Sequence, residues 1–569
     1  MKGPLHWLRS RSNTGASRRR RRARQRSDQR PGQRPGRRRV WLRVLNTLLL
    51  LSLCTIVAGL WYLRTRSVGP VRASLPALLL PVDLDALSDA ITEMDVTRAR
   101  ELAERYQHAS LSVGQSQRLA VERARLGLYV GDCDSAHAIL AGLPPEEGDV
   151  PGLLALSQSC AGATAASLVV EDTARGFWLR LQDSDDEPLV PYLLEVAERA
   201  REAVRVDLGV ELPRPLRIDV VRDLFSLSAV SGLPLEAAET TGTVAVARWG
   251  RVTLLSPRAS RHGYPWQDTL AHELVHLGLS RATRDFAPLW LQEGVAKRQE
   301  QRWRPPRPFD DVDGHDRIAQ RALLTGASVG VDKLGPSIAM LPSADAASIA
   351  FSEVTSFINY WIRMNGRAAF QLLLNDLKGL EERDPNAALR GVSGYDLKQW
   401  IARWQAELRT KELSTARSQQ MTMGNELVRV RVGDLLMYNQ HFDAAARRFT
   451  EALARVPQAS ALRYRASQAE LSAGRRAEAE ARLGKVDDLD GPHAAWFALR
   501  GRFDAEAGDA QAAAANSTMA LSLDPWSELV ACEGHQSNLL GSDPWQLPDP
   551  PDPLRQKLCA TARARPPIQ

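Results

Sequence analysis

Apolar residues recur at three- and four-residue spacing through the segment from residue 83 to residue 165. This spacing gathers them on one face of a helix, so it predicts amphipathic helices. The predicted helices are Leu84–Met94, Arg98–Tyr106, Gln115–Tyr129 and Ser135–Leu140. Gly131 and Asp132 are typical of the end of one helix and the start of the next. The segment is therefore predicted to be an all-helical region of paired helices.

The pattern changes near residue 173, where short apolar and alternating runs predict strands. From Pro265 to Thr410 helical spacing returns. Strands followed by helices predict an α+β domain over residues 173–410. The predicted elements are a strand at Gly176–Leu181, a helix at Leu189–Leu208, a strand at Pro215–Val221, and a hairpin or bent edge strand formed by Thr243–Arg248 and Arg251–Leu255 around Trp249 and Gly250.

Residues 426–525 contain an internal repeat. Asn439, Gly474 and Gly508 occupy equivalent positions, and a similar predicted helix follows each of them. These helices are Phe442–Leu453, Arg476–Leu483 and Ala510–Leu521. A period of about 34 residues in a helix-turn-helix unit resembles the tetratricopeptide repeat, and the helices of residues 83–165 resemble it more weakly. Such repeats stack and leave a concave surface, which predicts a protein partner. Residues 526–569 are rich in proline and are predicted to form an irregular cap or tail.

An uncharged run of twenty residues extends from Val44 to Leu63. As a helix it would be about 30 Å long, enough to span a bilayer. Basic residues precede this run, so the positive-inside rule predicts a cytoplasmic N-terminus and an outer C-terminal part. A cleaved signal peptide is the alternative, but the bulky residues at 60–63 favour an anchor. The predicted location is a bacterial inner membrane, with the C-terminal domains in the periplasm.

The net charge of +7 is unevenly distributed, because residues 1–43 hold sixteen Lys or Arg and one acid, Asp28. The rest of the chain is acidic overall. This segment is rich in Gly, Pro and Gln and is predicted to be a disordered cytoplasmic tail. Beside a membrane span it is interpreted as a topology signal that also contacts anionic lipid, so no nucleic-acid partner is expected.

Four of the five cysteines lie in the predicted outer part, and Cys54 lies in the predicted span. No Cys-x-x-Cys or Cys/His zinc spacing occurs among them. An even number in an oxidising compartment predicts two local disulfides, Cys133–Cys160 and Cys532–Cys559. Free buried thiols are the alternative.

The chemistry concentrates at His272-Glu273-Leu274-Val275-His276. Histidines four residues apart lie on one face of a helix, so His272 and His276 can bind one metal ion, with Glu273 beside it. A second predicted helix, with Pro288 in its first turn, carries Glu293 seventeen residues beyond the second histidine. Two imidazoles, one carboxylate and an open position suit Zn²⁺.

The two histidines and the sequence Trp290-Leu291-Gln292-Glu293-Gly294 together resemble the gluzincin metallopeptidases, above all their aminopeptidase-like branch. The resemblance covers residues 173–408. It implies that His272, His276 and Glu293 bind zinc and that Glu273 is the general base. It also implies that the edge strand before the zinc helix, assigned to Arg251–Leu255, pairs with an extended peptide substrate.

The chain also departs from that family. Lys297 stands where the thermolysin-like branch has an Asp. No Gly-x-Met-x-Asn motif precedes the site, which favours an endopeptidase over an aminopeptidase. Phe351 stands near a position where similar members have a Tyr, so either another residue supplies the oxyanion donor or the enzyme is intrinsically slow. The candidates are Tyr264 and His262, just before the zinc helix, and Tyr360 and Tyr395 after it.

These patterns predict a multidomain protein: an α+β gluzincin-like peptidase domain flanked by all-α, tetratricopeptide-like regions, with one N-terminal transmembrane helix. The predicted function is a membrane-anchored zinc peptidase that hydrolyses peptide bonds in the periplasm. Its partners are a protein or peptide substrate, a protein bound by the repeats, and the membrane. The alternative is a non-catalytic, membrane-tethered scaffold with a vestigial zinc site.

Overall fold

The computed structural model describes residues 82–144, 148–260, 263–311, 313–379, 384–413, 426–533 and 552–564. Within these residues no helix is both long enough and apolar enough to cross a membrane. The predicted basic tail, residues 1–43, and the predicted span, residues 44–63, lie outside them. The described residues belong to one compact unit, Leu78–Gln569, which is mostly helical around a small sheet.

Five helices open the described chain and confirm the helical prediction for residues 83–165. They are α1 (Leu84–Thr92), α2 (Val96–Gln107), α3 (Val113–Val130), α4 (Cys133–Leu140) and α5 (Val150–Thr164). Gly131 ends α3 in the left-handed conformation, with φ at 85°. The predicted disulfide Cys133–Cys160 joins α4 to α5.

A five-stranded mixed sheet follows, with the order β1-β2-β3-β5-β4. Its elements are β1 (Leu168–Asp172), β2 (Phe177–Leu181), α6 (Val190–Leu208), β3 (Leu216–Val221), α7 (Leu224–Ser231), α8 (Leu235–Thr241), β4 (Ala245–Arg248) and β5 (Arg251–Leu255). The three inner strands are parallel, and β1 and β4 pair antiparallel at the two edges. The predicted hairpin is confirmed as β4–β5, but β1 was not predicted, so the sheet begins before residue 173.

One face of the sheet carries a buried ion network. Asp219 on β3 binds Arg180 on β2 at 2.7 Å and Arg251 on β5 at 2.8 Å. These arginines in turn donate to the carbonyl oxygens of Gly131 and Leu128 at the end of α3. A helix C-terminus carries partial negative charge, so the arginines stabilise it. The network thereby fixes the N-terminal helices on the sheet.

The other face of the sheet packs against the helices that carry the candidate site. They are α9 (Trp266–Thr283), α10 (Leu289–Gln299), α11 (Gly314–Thr325), α12 (Ala344–Lys378, kinked at Gly366), α13 (Pro385–Ser393) and α14 (Leu397–Thr410). The largest hydrophobic cluster joins α6, α9, α10 and α12 to the apolar side chains of the strands.

Three helix pairs form the C-terminal repeats. They are α15 (Glu426–Tyr438) with α16 (Phe442–Leu453), α17 (Ser460–Ser472) with α18 (Arg476–Leu483), and α19 (Ala494–Glu506) with α20 (Ala510–Leu523). The last repeat helix, α20, contacts the start of α9 directly. The carbonyls of Leu521 and Leu523 accept hydrogen bonds from the Trp266 side chain and the Tyr264 backbone, at 3.2 and 2.9 Å.

The prediction of an irregular tail for residues 526–569 is wrong for the part that the structure describes. A helix, α21 (Asp552–Ala564), lies there. The predicted disulfide Cys532–Cys559 holds it, and Lys557 pairs with Glu187 at 2.9 Å. The high proline content of this segment suggested an irregular structure. The prolines lie before the helix or in its first turn, where proline is tolerated, so they do not prevent the helix.

Candidate metal centre

The two histidines lie on α9, one of the most buried helices of the unit. Residues on nearly all sides of α9 are buried, including Trp266 and Leu274 at 0% exposure. Because His272 and His276 are one turn apart, their rings point in the same direction, with centroids 4.9 Å apart. Burial of the whole helix holds this pair in place.

Glu293 reaches the histidines from α10, which begins after Pro288 and runs beside α9. Gly294 sets the distance of α10 from α12. A β-carbon at this position would lie 2.5 Å from Ile358 Cγ1 and 2.6 Å from the Val354 carbonyl oxygen. The absence of a side chain therefore allows the two helices to approach closely next to Glu293.

Three ligand atoms form a nearly equilateral triangle. His272 Nε2 and His276 Nε2 are 3.2 Å apart. Glu293 Oε2 lies 3.6 Å from the first and 3.5 Å from the second. In a tetrahedral zinc site with bonds of about 2.0–2.1 Å, ligand atoms are separated by about 3.4 Å. The donor set and its spacing therefore fit Zn²⁺, and one side of the triangle remains for a fourth ligand.

Each histidine has a second partner on α10 or just beyond it. His272 Nδ1 lies 3.4 Å from Glu300 Oε2, and His276 Nδ1 lies 3.2 Å from Gln292 Oε1. Lys297 Nζ lies 2.7 Å from the other Glu300 oxygen. Such partners orient metal-binding imidazoles and fix the tautomer that leaves Nε2 for the metal.

The pKa values of these groups favour ionised carboxylates beside the histidines. Burial lowers the pKa of His272, but Glu293 and Glu300 outweigh it and raise the pKa to about 10. Burial likewise opposes ionisation of Glu300, yet Lys297 and the histidine hold its pKa down at about 2. The pKa of Glu293 is lowered by both histidines against the effect of burial. A cation at this position therefore meets ionised carboxylates.

Glu273 lies beside the triangle, and its ligand atom is within 4.8 Å of those of the two histidines. Burial raises its pKa, while the two histidines and a hydrogen bond from the Ala247 backbone N–H oppose the rise. Ala247 belongs to β4. The carboxylate that neighbours the metal ligands is therefore held by the edge strand of the sheet.

A cleft of about 590 Å³ contains this cluster. β4 forms one wall, α9 and α10 form the floor, and residues of the 336–338 loop and α12 form the rest. Phe351 of α12 also lines it, with its ring centroid 6.1 Å from that of His272. Phe351, which the resemblance places near a family Tyr position, therefore lies beside the histidines.

The assignment of the edge strand to Arg251–Leu255 is wrong. β5 is fully buried between β3 and β4, and the edge strand is β4. The prediction chose the strand nearest to the zinc helix in sequence. The hairpin instead places its first strand outermost, because β5 enters parallel to β3 and leaves only its other side for β4.

The tyrosine candidates for an oxyanion donor do not line the cleft. Tyr264 is half-buried, its pKa is raised well above the ordinary value by loss of hydration, and its hydroxyl donates to the Leu255 carbonyl. Tyr360 packs against Trp400, and the Tyr395 hydroxyl accepts from Arg403 at 2.6 Å. All three have structural partners. His262 lies outside the described residues.

Sequence reasoning missed Glu300 and Gln292 as partners of the histidines. The signal was nevertheless present for Glu300, which follows Glu293 by seven residues. At 100° per residue seven residues correspond to 700°, which is about 20° short of two full turns. Both carboxylates therefore lie on the same face of the helical segment, and that face meets α9.

Comparison with known proteins identifies only the repeats. A family model for the tetratricopeptide repeat matches residues 436–503, which extend from α15 into α19. No curated protein matches the chain. The C-terminal part of the chain therefore contains tetratricopeptide repeats, and these typically mediate protein–protein interactions. The match does not extend to the metal-ligand cluster.

Proposed function

We propose that this protein is a zinc-dependent peptidase of the gluzincin type, with His272, His276 and Glu293 as ligands and Glu273 as general base. The observation that carries the proposal is the triangle of ligand atoms at 3.2, 3.5 and 3.6 Å. The second partners of both histidines support it, since a decayed site does not need them.

Zinc, when bound, would supply a Lewis acid that polarises a carbonyl group and lowers the pKa of a water molecule. Glu273 is placed to accept a proton from the attacking water and to deliver it to the leaving amine. In that step the carbonyl carbon gains a bond to the water oxygen and loses its bond to nitrogen. Burial raises the pKa of this carboxylate, which strengthens it as the acceptor of the water proton.

The edge strand β4 is suited to binding the substrate. Leu255 N–H donates to the Val244 oxygen across the hairpin at 2.8 Å. In an antiparallel pair the bonded residues alternate, so the backbone groups of Ala245 and Ala247 face away from β5, toward the cleft. The Ala247 N–H donates to Glu273, so an extended peptide can pair as an added strand with the two backbone groups of Ala245 and with the Ala247 carbonyl. Pairing through the backbone requires no free substrate terminus, which favours an endopeptidase.

Location is part of the same proposal. The residues predicted to form the basic tail and the membrane anchor lie outside the described region. The structure does pair all four cysteines of the predicted outer part into two disulfides, and disulfides are typical of oxidising compartments. This pairing supports a periplasmic site for the peptidase and the repeats, which would bind a protein partner there.

The experiment is metal analysis combined with proteolysis. The purified full-length chain is expected to hold one zinc ion and to cleave an unfolded protein substrate. Glu273→Gln should keep the zinc and lose turnover, whereas His272→Ala and Glu293→Ala should lose the zinc. A chain that stays free of zinc after exposure to the metal would refute the proposal.

A second candidate is a non-catalytic scaffold, and the family match to tetratricopeptide repeats favours it. In that case the repeats bind a partner and the zinc site only stabilises the fold. Zinc binding without cleavage of any substrate, together with identical behaviour of the wild type and Glu273→Gln, would support this candidate over the peptidase.

A further inference from the structure

A second cleft of about 710 Å³ lies on the opposite face of the edge strand from the metal centre. Its walls are α5 and α7, together with the β4–β5 turn. Leu233 and Arg248 line both this cleft and the catalytic one. The two clefts therefore meet at the edge strand.

The side chains of β4 point alternately toward the two sides of the sheet, where the two clefts lie. Ala245 and Ala247 pack into the hydrophobic cluster that contains α9. Val246 packs into the cluster that contains α7, and Arg248 lies on the same face as Val246 because side chains alternate along a strand. A peptide paired with β4 would alternate in the same way. Every second side chain of that peptide would point toward the second cleft.

Arg248 is an exposed cation without an ion-pair partner among the described residues. Its guanidinium carbon lies 4.9 Å from the centroid of the Trp249 ring. That ring is fixed in turn, because its Nε1 donates to the Ser231 carbonyl at 3.2 Å and Tyr129 packs edge-on at 6.2 Å. A guanidinium held on a fixed aromatic ring is oriented before a ligand arrives, which lowers the entropy cost of binding.

The remaining lining is small, apolar or hydroxyl-bearing. Among the described residues that line this cleft, the one acidic residue is Asp149, at the start of α5. Asp149 forms no ion pair with Arg248. The arginine thus has its charge-assisted donors available at the point where the two clefts meet.

We propose that Arg248 and the second cleft form a substrate subsite that selects an acidic side chain, Asp or Glu, at the position of an extended peptide that lies opposite Arg248. This inference rests on the proposed peptidase function and adds a substrate class to it. Substrate residues opposite Ala247 face the metal centre, whereas the residue opposite Arg248 faces the guanidinium. The selected acid therefore lies close to the bond that is cleaved.

The test uses the zinc-loaded, full-length Glu273→Gln protein as a binding trap. Fluorescent extended peptides are prepared in matched pairs, with Glu or Gln at one position that is moved along the peptide. Fluorescence anisotropy is expected to show about tenfold tighter binding of the Glu peptide at one position of the series and no preference at the positions next to it. Adding Arg248→Gln should remove this preference, so that the Glu and Gln peptides of each pair bind equally.

Arg321→Gln, an exposed arginine on α11, is the matched control and should keep the preference. Zinc content and melting temperature of each variant show whether it is folded. A preference that persists in Arg248→Gln, or its absence from the parent protein, would overturn the subsite. If the wild-type chain with zinc cleaves none of the peptides and the trap binds none, the peptidase proposal fails, and the subsite fails with it.

Discussion

Gly294→Ala adds a single methyl group beside the metal ligand Glu293. In the structure this β-carbon would lie 2.5 Å from Ile358 Cγ1 and 2.6 Å from the Val354 carbonyl oxygen, whereas ordinary contacts are 3.4–4 Å. The Ile358 side chain can rotate away, but the carbonyl belongs to the backbone of α12. We therefore expect α10 to move away from α12 by about 1 Å, in proportion to the missing contact distance.

Two opposing effects determine the stability of this variant. Alanine favours a helix over glycine by about 1 kcal/mol, whereas overpacking of a tight core contact costs about 1–3 kcal/mol. Since a backbone atom is involved, the second effect should win. The metal site should respond more strongly, because zinc ligands tolerate displacements of only about 0.2 Å and Glu293 moves together with its neighbour.

The assay is equilibrium dialysis of the full-length protein against graded concentrations of a zinc chelator, followed by metal analysis. Gly294→Ala is expected to release zinc at a chelator concentration at least tenfold lower than the wild type does. The control is Gly162→Ala in α5, where an added β-carbon meets no atom within 4 Å. It should leave zinc affinity unchanged and should not lower the melting temperature.

Wild-type zinc affinity in Gly294→Ala would refute the reasoning, because it would mean that the close approach of α10 and α12 does not position Glu293. A loss of zinc in Gly162→Ala of the same size would also contradict it. In that case any added methyl group would weaken the site, and the effect would not depend on the contact with α12.

Four further predictions concern single side chains. Glu300→Gln removes the carboxylate that orients the first histidine and should weaken zinc binding about 10–100-fold; unchanged affinity in chelator competition would contradict this role. Asp219→Asn leaves two buried arginines without their carboxylate and should cost about 3–5 kcal/mol in urea unfolding, while the same change at the exposed Asp332 should have no measurable effect. Burial and Lys297 lower the pKa of His315 to about 4 from its ordinary value of 6.5. Between pH 6.5 and pH 4 the unfolded state therefore binds more protons than the folded state, and the free energy of unfolding falls as the pH drops. His315→Gln should weaken this dependence, which urea unfolding at pH 7 and pH 5 would reveal. Phe351→Tyr places a hydroxyl in the cleft and should raise turnover of a peptide without changing zinc content, and an unchanged rate would exclude an oxyanion role for this position.

Local periodicity was sufficient for the elements whose apolar faces are buried in a regular way. The helices Phe442–Leu453 and Arg476–Leu483 have the predicted bounds. The turn at Trp249 and Gly250 is equally local, since both residues have positive φ, at 55° and 66°, as a tight hairpin requires. The spacing of His272, His276 and Glu293 likewise predicted a cluster that the fold brings together.

The features that the sequence did not predict depend on contacts between residues that are far apart along the chain. β1, Leu168–Asp172, has a largely exposed surface and no alternation that would distinguish it from a loop. The charged positions of the inner strands, such as Arg180 and Asp219, resemble a solvent-facing side. They are buried instead, because the N-terminal helices cover them and they neutralise one another. Neither fact can be read from any short segment.

The direction of the candidate tyrosine side chains also depends on contacts between distant parts of the chain. Tyr264 precedes the zinc helix by only a few residues, and this proximity in sequence made it a candidate donor. In the fold its hydroxyl donates to the Leu255 carbonyl, and its backbone N–H donates to Leu523 of the repeats. Proximity along the chain does not determine the direction of a side chain at the start of a helix.

The hydrogen bonds from Tyr264 and Trp266 to the last repeat helix limit how this architecture can change. Trp266 is fully buried, and without α20 its ring would be exposed and its indole N–H would lose the Leu521 acceptor. The repeat array is therefore not an interchangeable adaptor that evolution or an engineer could exchange to give the protein a new partner. New partners would have to arise by substitution on the outer surface of the existing repeats, while the surface that meets α9 stays constant.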